Sequence, residues 1–135
     1  MAGMHGYDTL KKLALADAPG SAATITVYDT TANISTGQQG QGARGHGARF
    51  KMIVFSLFTS HISDATAGYT VDESWDGGVN WDNVQTTATI AATTYTKIYT
   101  KVSAPDFRCR YKNSASVITT FRGGLMVDNF ERSNG

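Results

Sequence analysis

The chain has 135 residues, with Lys+Arg 12 against Asp+Glu 11, a formal net charge of +1, and 41% hydrophobic residues. That length accommodates one ordinary core, and folding hides roughly two-thirds of the unfolded surface at this size. The charge balance excludes a charge-driven disordered tail and a strongly basic nucleic-acid binder, and the single cysteine, Cys109, excludes an internal disulfide framework and a four-cysteine zinc site.

From the amino terminus, the apolar run Leu13-Ala14-Leu15-Ala16 after Lys11-Lys12 is too short for a signal-peptide core and is interrupted by Asp17. Asp8 is placed to cap an amphipathic stretch from Thr9 to Asp17, with Leu10, Leu13 and Ala14 on one face and Pro19-Gly20 closing it. So short a stretch is a marginal helix by itself, and an extended arm is the alternative. Residues 1–20 are thus read as an N-terminal arm, extended or short-helical, 21–130 as the folded domain, and 131–135 as a polar tail.

Beyond the arm, 18 threonines fall in alternating runs, with 14 glycines and only 2 prolines. Threonine is β-branched and favours a pleated surface. The runs are Thr24 to Asp29, Arg49 to Thr59, Gly68 to Trp75, Thr87 to Val102, Phe107 to Lys112 and Val117 to Val127, separated by Gly, Asn, Asp and Ser. They predict an all-β fold, an antiparallel two-sheet β-sandwich of jelly-roll or immunoglobulin-like type. Phe50 to Phe58 is apolar at nearly every position, as a strand in the middle of a sheet requires. The expected core is Phe50, Met52, Val54, Phe55, Leu57, Ile98, Phe107, Tyr111, Phe121 and Leu125.

Between the first two of these runs lies a Gly/Gln-rich segment, residues 35–49, whose only apolar side chains are Ala43 and Ala48. Long loops of this composition are functional or disordered. No Gly-Lys-Ser/Thr ending follows it, so it is not a phosphate-binding loop. Its Gln38, Gln39, Gln41, Arg44, His46 and Arg49 are candidate contacts to another molecule.

Ser74-Trp75-Asp76-Gly77-Gly78-Val79-Asn80-Trp81 resembles the Asp-box of sialidases, Ser-x-Asp-x-Gly-x-Thr-Trp, with Asn80 in the threonine position. The motif implies a hairpin in which Asp76 accepts hydrogen bonds from the turn, Gly77 and Gly78 supply positive φ, and Trp81 packs back over it. The box occurs once and this chain is too short for a sialidase propeller, so the hairpin is carried over and the hydrolase is not.

A wider pattern spans Thr24 to Val127. The hairpin precedes a Thr-rich strand, then Ala104-Pro105-Asp106-Phe107-Arg108-Cys109-Arg110-Tyr111-Lys112-Asn113, then Ile118-Thr-Thr-Phe-Arg-Gly-Gly-Leu125. This order resembles small β-sandwich modules in virion proteins of tailed bacteriophages. The resemblance implies a structural role, as a capsid decoration or cement protein or as a tail or fibre module. It also implies a virion location after assembly in the host cytoplasm, and the major capsid protein or other virion subunits as partners of a small homo-oligomer.

Catalytic constellations are thin. Asp72, Glu73, Asp76 and Asp82 straddle the hairpin and offer oxygens for a glycosidase pair or a calcium ion, but Asp76 is claimed by the turn, and Asp72 and Glu73 point to opposite faces of one strand. His5, His46 and His61 lack metal spacing, and no nucleophile elbow is present. Cys109, between Arg108 and Arg110, shares the inward face with Phe107 and Tyr111, as a structural thiol does. The expectation is a non-enzyme without cofactor or metal, and without nucleic-acid or membrane partners.

Two strand faces carry more information. In 95–102 the period of two sends Thr96, Ile98, Thr100 and Val102 inward and leaves Tyr95, Lys97, Tyr99 and Lys101 outward, and in 107–112 it leaves Arg108, Arg110 and Lys112 outward. These are candidate docking residues, because tyrosine and arginine are enriched at interfaces. Two functions follow: a virion assembly protein that stabilises a lattice of capsid or tail subunits, or a carbohydrate-binding or adhesion module that stacks sugars on Trp75, Trp81, Tyr95 or Tyr99.

Overall fold

The computed structural model describes residues 7–32 and 51–129. Its strands are β1 (Tyr7–Leu13), β2 (Thr24–Asp29), β3 (Lys51–Thr59), β4 (Tyr69–Ser74), β5 (Asp82–Thr87), β6 (Thr96–Val102), β7 (Asp106–Lys112) and β8 (Phe121–Asn129). They form two antiparallel four-stranded sheets, sheet I in the order β1-β8-β3-β6 and sheet II in the order β2-β7-β4-β5. Except at the β4–β5 hairpin, consecutive strands alternate between sheets. That is the jelly-roll order, and it separates this sandwich from the immunoglobulin arrangement.

Strand β3 sits between β8 and β6, as its continuous apolar run predicts. Its inner face, Ile53, Phe55 and Leu57, is fully buried. Across the sandwich Phe55 stacks on Tyr69 of β4, with ring centroids 4.1 Å apart and planes 9° from parallel. Phe107, Cys109 and Tyr111 of β7 and Leu125 and Val127 of β8 complete the packing. The alternation places two expected core residues differently. Met52 and Val54 lie on the outer face, where Val54 is covered by its register partners Tyr99 and Met126, and Ile53 takes the inward place. Phe50 lies outside the described residues, as do residues 1–6, 33–49 and 130–135.

In the amino-terminal segment residues 7–13 take the extended alternative and not the helical one, and they pair into sheet I. They form its edge strand beside β8, and only Leu15–Asp17 form a short 3-10 turn. The spacing of Leu10 and Leu13 reads as helical because the β1–β8 register shifts between Thr9 and Lys11. A bulge adds one residue to a strand, so two inward residues come three apart instead of two. Leu13 is buried, and Leu10 packs against the core. The folded unit therefore starts by residue 7.

The run from Thr87 to Val102 also divides. It spans the end of β5, a crossing loop that drops Ile90 into the core, and β6 in the other sheet.

Candidate functional site

The Asp-box-like segment forms the connection between β4 and β5. Ser74 Oγ donates to Asp76 Oδ1 (2.8 Å) and accepts from the Gly78 amide (2.9 Å), and Asp76 Oδ1 accepts from the Asn80 amide (2.8 Å). Asn80 fills the usual threonine position by donating its own Nδ2 to Asp76 Oδ2 at 2.8 Å. These bonds from Asn80 and Ser74 hold the Asp76 carboxyl down at about 2. Gly77 and Gly78 adopt φ of +73° and +95°, the left-handed conformations the motif requires. A Cβ on Gly78 would sit 3.3 Å from the Trp81 ring, so the indole does fold back over the turn. What the turn presents outward is apolar: Trp75 is 66% exposed and Val79 78%.

The outer face of sheet II is closed upon itself. Asp72 is buried, and its Oδ2 accepts from Arg108 Nε and Arg110 Nη2, each at 2.9 Å. Its Oδ1 accepts from Asn83 Nδ2 at 3.1 Å. The Arg108 guanidinium also lies 4.5 Å from the centroid of the Trp81 ring. Arg108 and Arg110 are outward, as the period of two requires, and both are half-buried, each donating to Asp72 in this network. Trp81 offers no open stacking face on the side the guanidinium covers.

Of the other carboxylates of the acidic cluster, Glu73 likewise holds the fold. Glu73 Oε1 accepts from the amides of Ser103 (3.0 Å) and Ala104 (3.2 Å), fixing the β6–β7 turn. Asp82 lies exposed at the start of β5. Among the described residues no group of three His, Cys, Asp or Glu side chains is placed to hold a metal ion. Cys109 is fully buried, and desolvation pushes its thiol up to about 12. His61 is half-buried with Nδ1 2.9 Å from Ser60 Oγ. His5, His46 and the loop candidates Gln38, Gln39, Gln41, Arg44 and Arg49 lie outside the described residues.

The segment 104–113 behind the virion resemblance has structural roles throughout. The Ala104 carbonyl accepts from the buried Lys51 Nζ at 3.1 Å, and Tyr111 packs against Phe121 with centroids 5.6 Å apart. Asn113, fully buried, donates Nδ2 toward the carbonyls of Gly20 (3.1 Å) and Ser116 (2.7 Å).

Sheet I presents the open surface. Tyr95 and Tyr99 are 58% and 55% exposed, and Lys97 and Lys101 are exposed beside them, so all four stand outward as the alternation predicts. Next to them, Gly124 and Ser56 leave the sheet face bare of large side chains. A trough of about 530 Å³ results, walled by Thr9 and Lys12 of β1, Arg122 and Met126 of β8, and Tyr95. The sequence carried one signal for it, the pair Gly123-Gly124 inside a strand, since glycine there marks close backbone approach.

No family model and no curated protein sequence matches the chain. Among solved structures it is similar to the CBM22-1 xylan-binding domain of Paenibacillus barcinonensis Xyn10C, at 9% identity and TM-score 0.47, over 92% of this chain and 96% of that domain. It is also similar to a chain of the infectious bursal disease virus Gx strain, at 11% identity and TM-score 0.40 over 93% of this chain. The VP2 subviral particle of that virus gives 11% identity and TM-score 0.40 over 94%. The chain spans 32% and 33% of the lengths of those two viral chains. The jelly-roll assignment rests on the strand order itself.

Proposed function

We propose that this protein is a non-enzymatic virion structural protein of the kind found on tailed bacteriophages, which decorates and stabilises an assembled capsid lattice. The observation that carries the proposal is the β4–β5 hairpin tip. Five polar and glycine positions, Ser74, Asp76, Gly77, Gly78 and Asn80, lock the turn, and the result holds Trp75 and Val79 out in water. Exposing a tryptophan has no benefit to a free domain, whereas a rigid aromatic knob makes an interface anchor with little ordering cost on binding. Segment 35–49 and residues 1–6 are proposed as further contacts to the lattice, with the major capsid protein as partner. Binding the assembled state alone would stabilise the particle by mass action.

The test uses purified particles lacking the protein and measures retention by co-sedimentation. Trp75→Ala and Val79→Ser should leave the melting temperature near wild type and abolish retention, and undiminished retention by both would overturn the docking assignment. Removal of residues 1–6, rather than 1–20, tests the N-terminal contact without removing β1.

A second reading, a carbohydrate-binding or adhesion module, is favoured by a different observation: the trough on sheet I, flanked by the exposed Tyr95. Jelly rolls serve both capsids and lectins, so the fold does not choose between them.

A further inference from the structure

We propose that the trough on the outer face of sheet I binds an acidic saccharide chain, whose uronate carboxylates or sulfates meet Lys12 and Arg122 while a sugar ring lies against Tyr95. The inference rests on the saccharide-binding reading and narrows it to a ligand class.

Shape comes first. The floor is Gly124 and Ser56, register partners in the β8–β3 ladder, so a ligand can approach the sheet backbone closely. The volume of about 530 Å³ falls within the roughly 300–1,000 Å³ usual for small-molecule sites, and the trough opens to solvent. Tyr95 supplies an aromatic wall more than half exposed.

Charge selects the ligand. Lys12 and Arg122 are exposed on the walls, and Lys97 adds a third cation with Nζ 5.6 Å from the Tyr95 ring centroid. Among the described residues none of these three forms an ion pair, whereas Lys11, on the same strand, is 3.6 Å from Asp17. Arg122 is held by stacking, its guanidinium 4.3 Å from the Phe58 ring centroid, which leaves its donors directed to solvent or to an anion. The one carboxylate on this face of β8, Asp128, pairs in register with Tyr7 and Met52 toward the opposite end of the strand. Lys11 also lines the trough but is neutralised by Asp17, so an anion there meets the unpaired cations Lys12 and Arg122, with Lys97 beside Tyr95.

Backbone pairing separates a sugar from a peptide. Beneath the trough β1 pairs with β8 and β8 with β3, so an extended peptide lying on the face finds no unpaired backbone there, and could add a strand only at the outer edge of β1, beside the trough. What remains for recognition is ring stacking, the hydroxyls of Ser56 and Thr9, and charge-assisted bonds. Those contacts match the faces, hydroxyls and acidic groups of a saccharide.

The experiment is isothermal titration of the full chain with tetragalacturonate and a heparin-derived tetrasaccharide, against neutral xylotetraose and a pentaglutamate peptide. The acidic saccharides should bind with affinity that falls as salt rises, and Arg122→Gln and Tyr95→Ala should each lower it by about tenfold or more. Thr26→Ala, on the other sheet, should bind as wild type. Arg122→Gln changes only an exposed head group, so a matching melting temperature makes its result interpretable even if Tyr95→Ala is destabilised. Equal binding of xylotetraose, unaffected by Arg122→Gln, would overturn the acidic class and leave the saccharide reading standing. Binding of no saccharide would overturn both, and preference for pentaglutamate would replace the saccharide with an acidic peptide.

Discussion

Gly123→Ala is the substitution with the largest consequence that the backbone dictates. A Cβ built on Gly123 runs into the Ser56 carbonyl oxygen and lies 2.9 Å from its carbon and 3.0 Å from Leu57 Cα, all atoms of the adjacent central strand. Cβ contacts essentially never fall below 3.0 Å, so β8 and β3 must part by about 1 Å two pairs inside the Thr59–Phe121 end of their ladder. That displacement exceeds the roughly 0.5 Å width of the N–H···O distance range, and the bonds on either side fail. Two lost ladder bonds at about 0.5–1.5 kcal/mol each, with an overpacking strain of about 1–3 kcal/mol, predict destabilisation of about 2–6 kcal/mol. This is a large part of the roughly 5–15 kcal/mol that holds a domain folded. The assay is guanidinium unfolding followed by tryptophan fluorescence, with Gly124→Ala as control. At Gly124 the new Cβ meets only the Lys11 carbonyl oxygen, at 3.0 Å, and the change should cost less than about 1 kcal/mol. Stability of Gly123→Ala within 1 kcal/mol of wild type would refute the reasoning.

Gly78→Val places a β-branched residue at φ +95° and should destabilise the domain by at least about 1 kcal/mol, read as a lower melting temperature. The Asp76 carboxyl is lowered from 3.8 to about 2 in the fold, so its contribution is complete above pH 4 and is lost as pH falls toward 2. Asp76→Asn should therefore lower the melting temperature at neutral pH and show a smaller further fall between pH 4 and pH 2 than wild type. Burial raises the Tyr111 hydroxyl from 10.0 to about 12, so folding favours its neutral form and that stability declines as pH climbs from 10 through 12, measurable as alkaline unfolding. Cys109 should resist an aromatic disulfide reagent at pH 8 in the native protein and react fully once denatured, and rapid native labelling would contradict its burial.

Much of this architecture is legible in residue order because local chemistry and tertiary demand agree there. The apolar run of β3 marks a central strand, the alternation through Phe107, Cys109 and Tyr111 marks an inward face, and Ser74 to Trp81 holds its own turn through bonds among neighbours in sequence. Where the two diverge, only the assembled sheets decide. Polar β5, Asp82–Thr87, is a strand because β4 offers it a hydrogen-bonding edge, not because of its own apolar content. The leucine spacing of β1 imitates a helix until the bulge against β8 is seen. Arg108 and Arg110 read as free cations because Asp72, 36 and 38 residues away, becomes their partner only when β4 pairs with β7. The trough, likewise, needs Thr9, Ser56, Tyr95 and Gly124 brought together from four segments. Period-two alternation is a property of one strand, whereas ion pairs, bulges and concave surfaces depend on which strands become neighbours, and that is set by burial of the whole core.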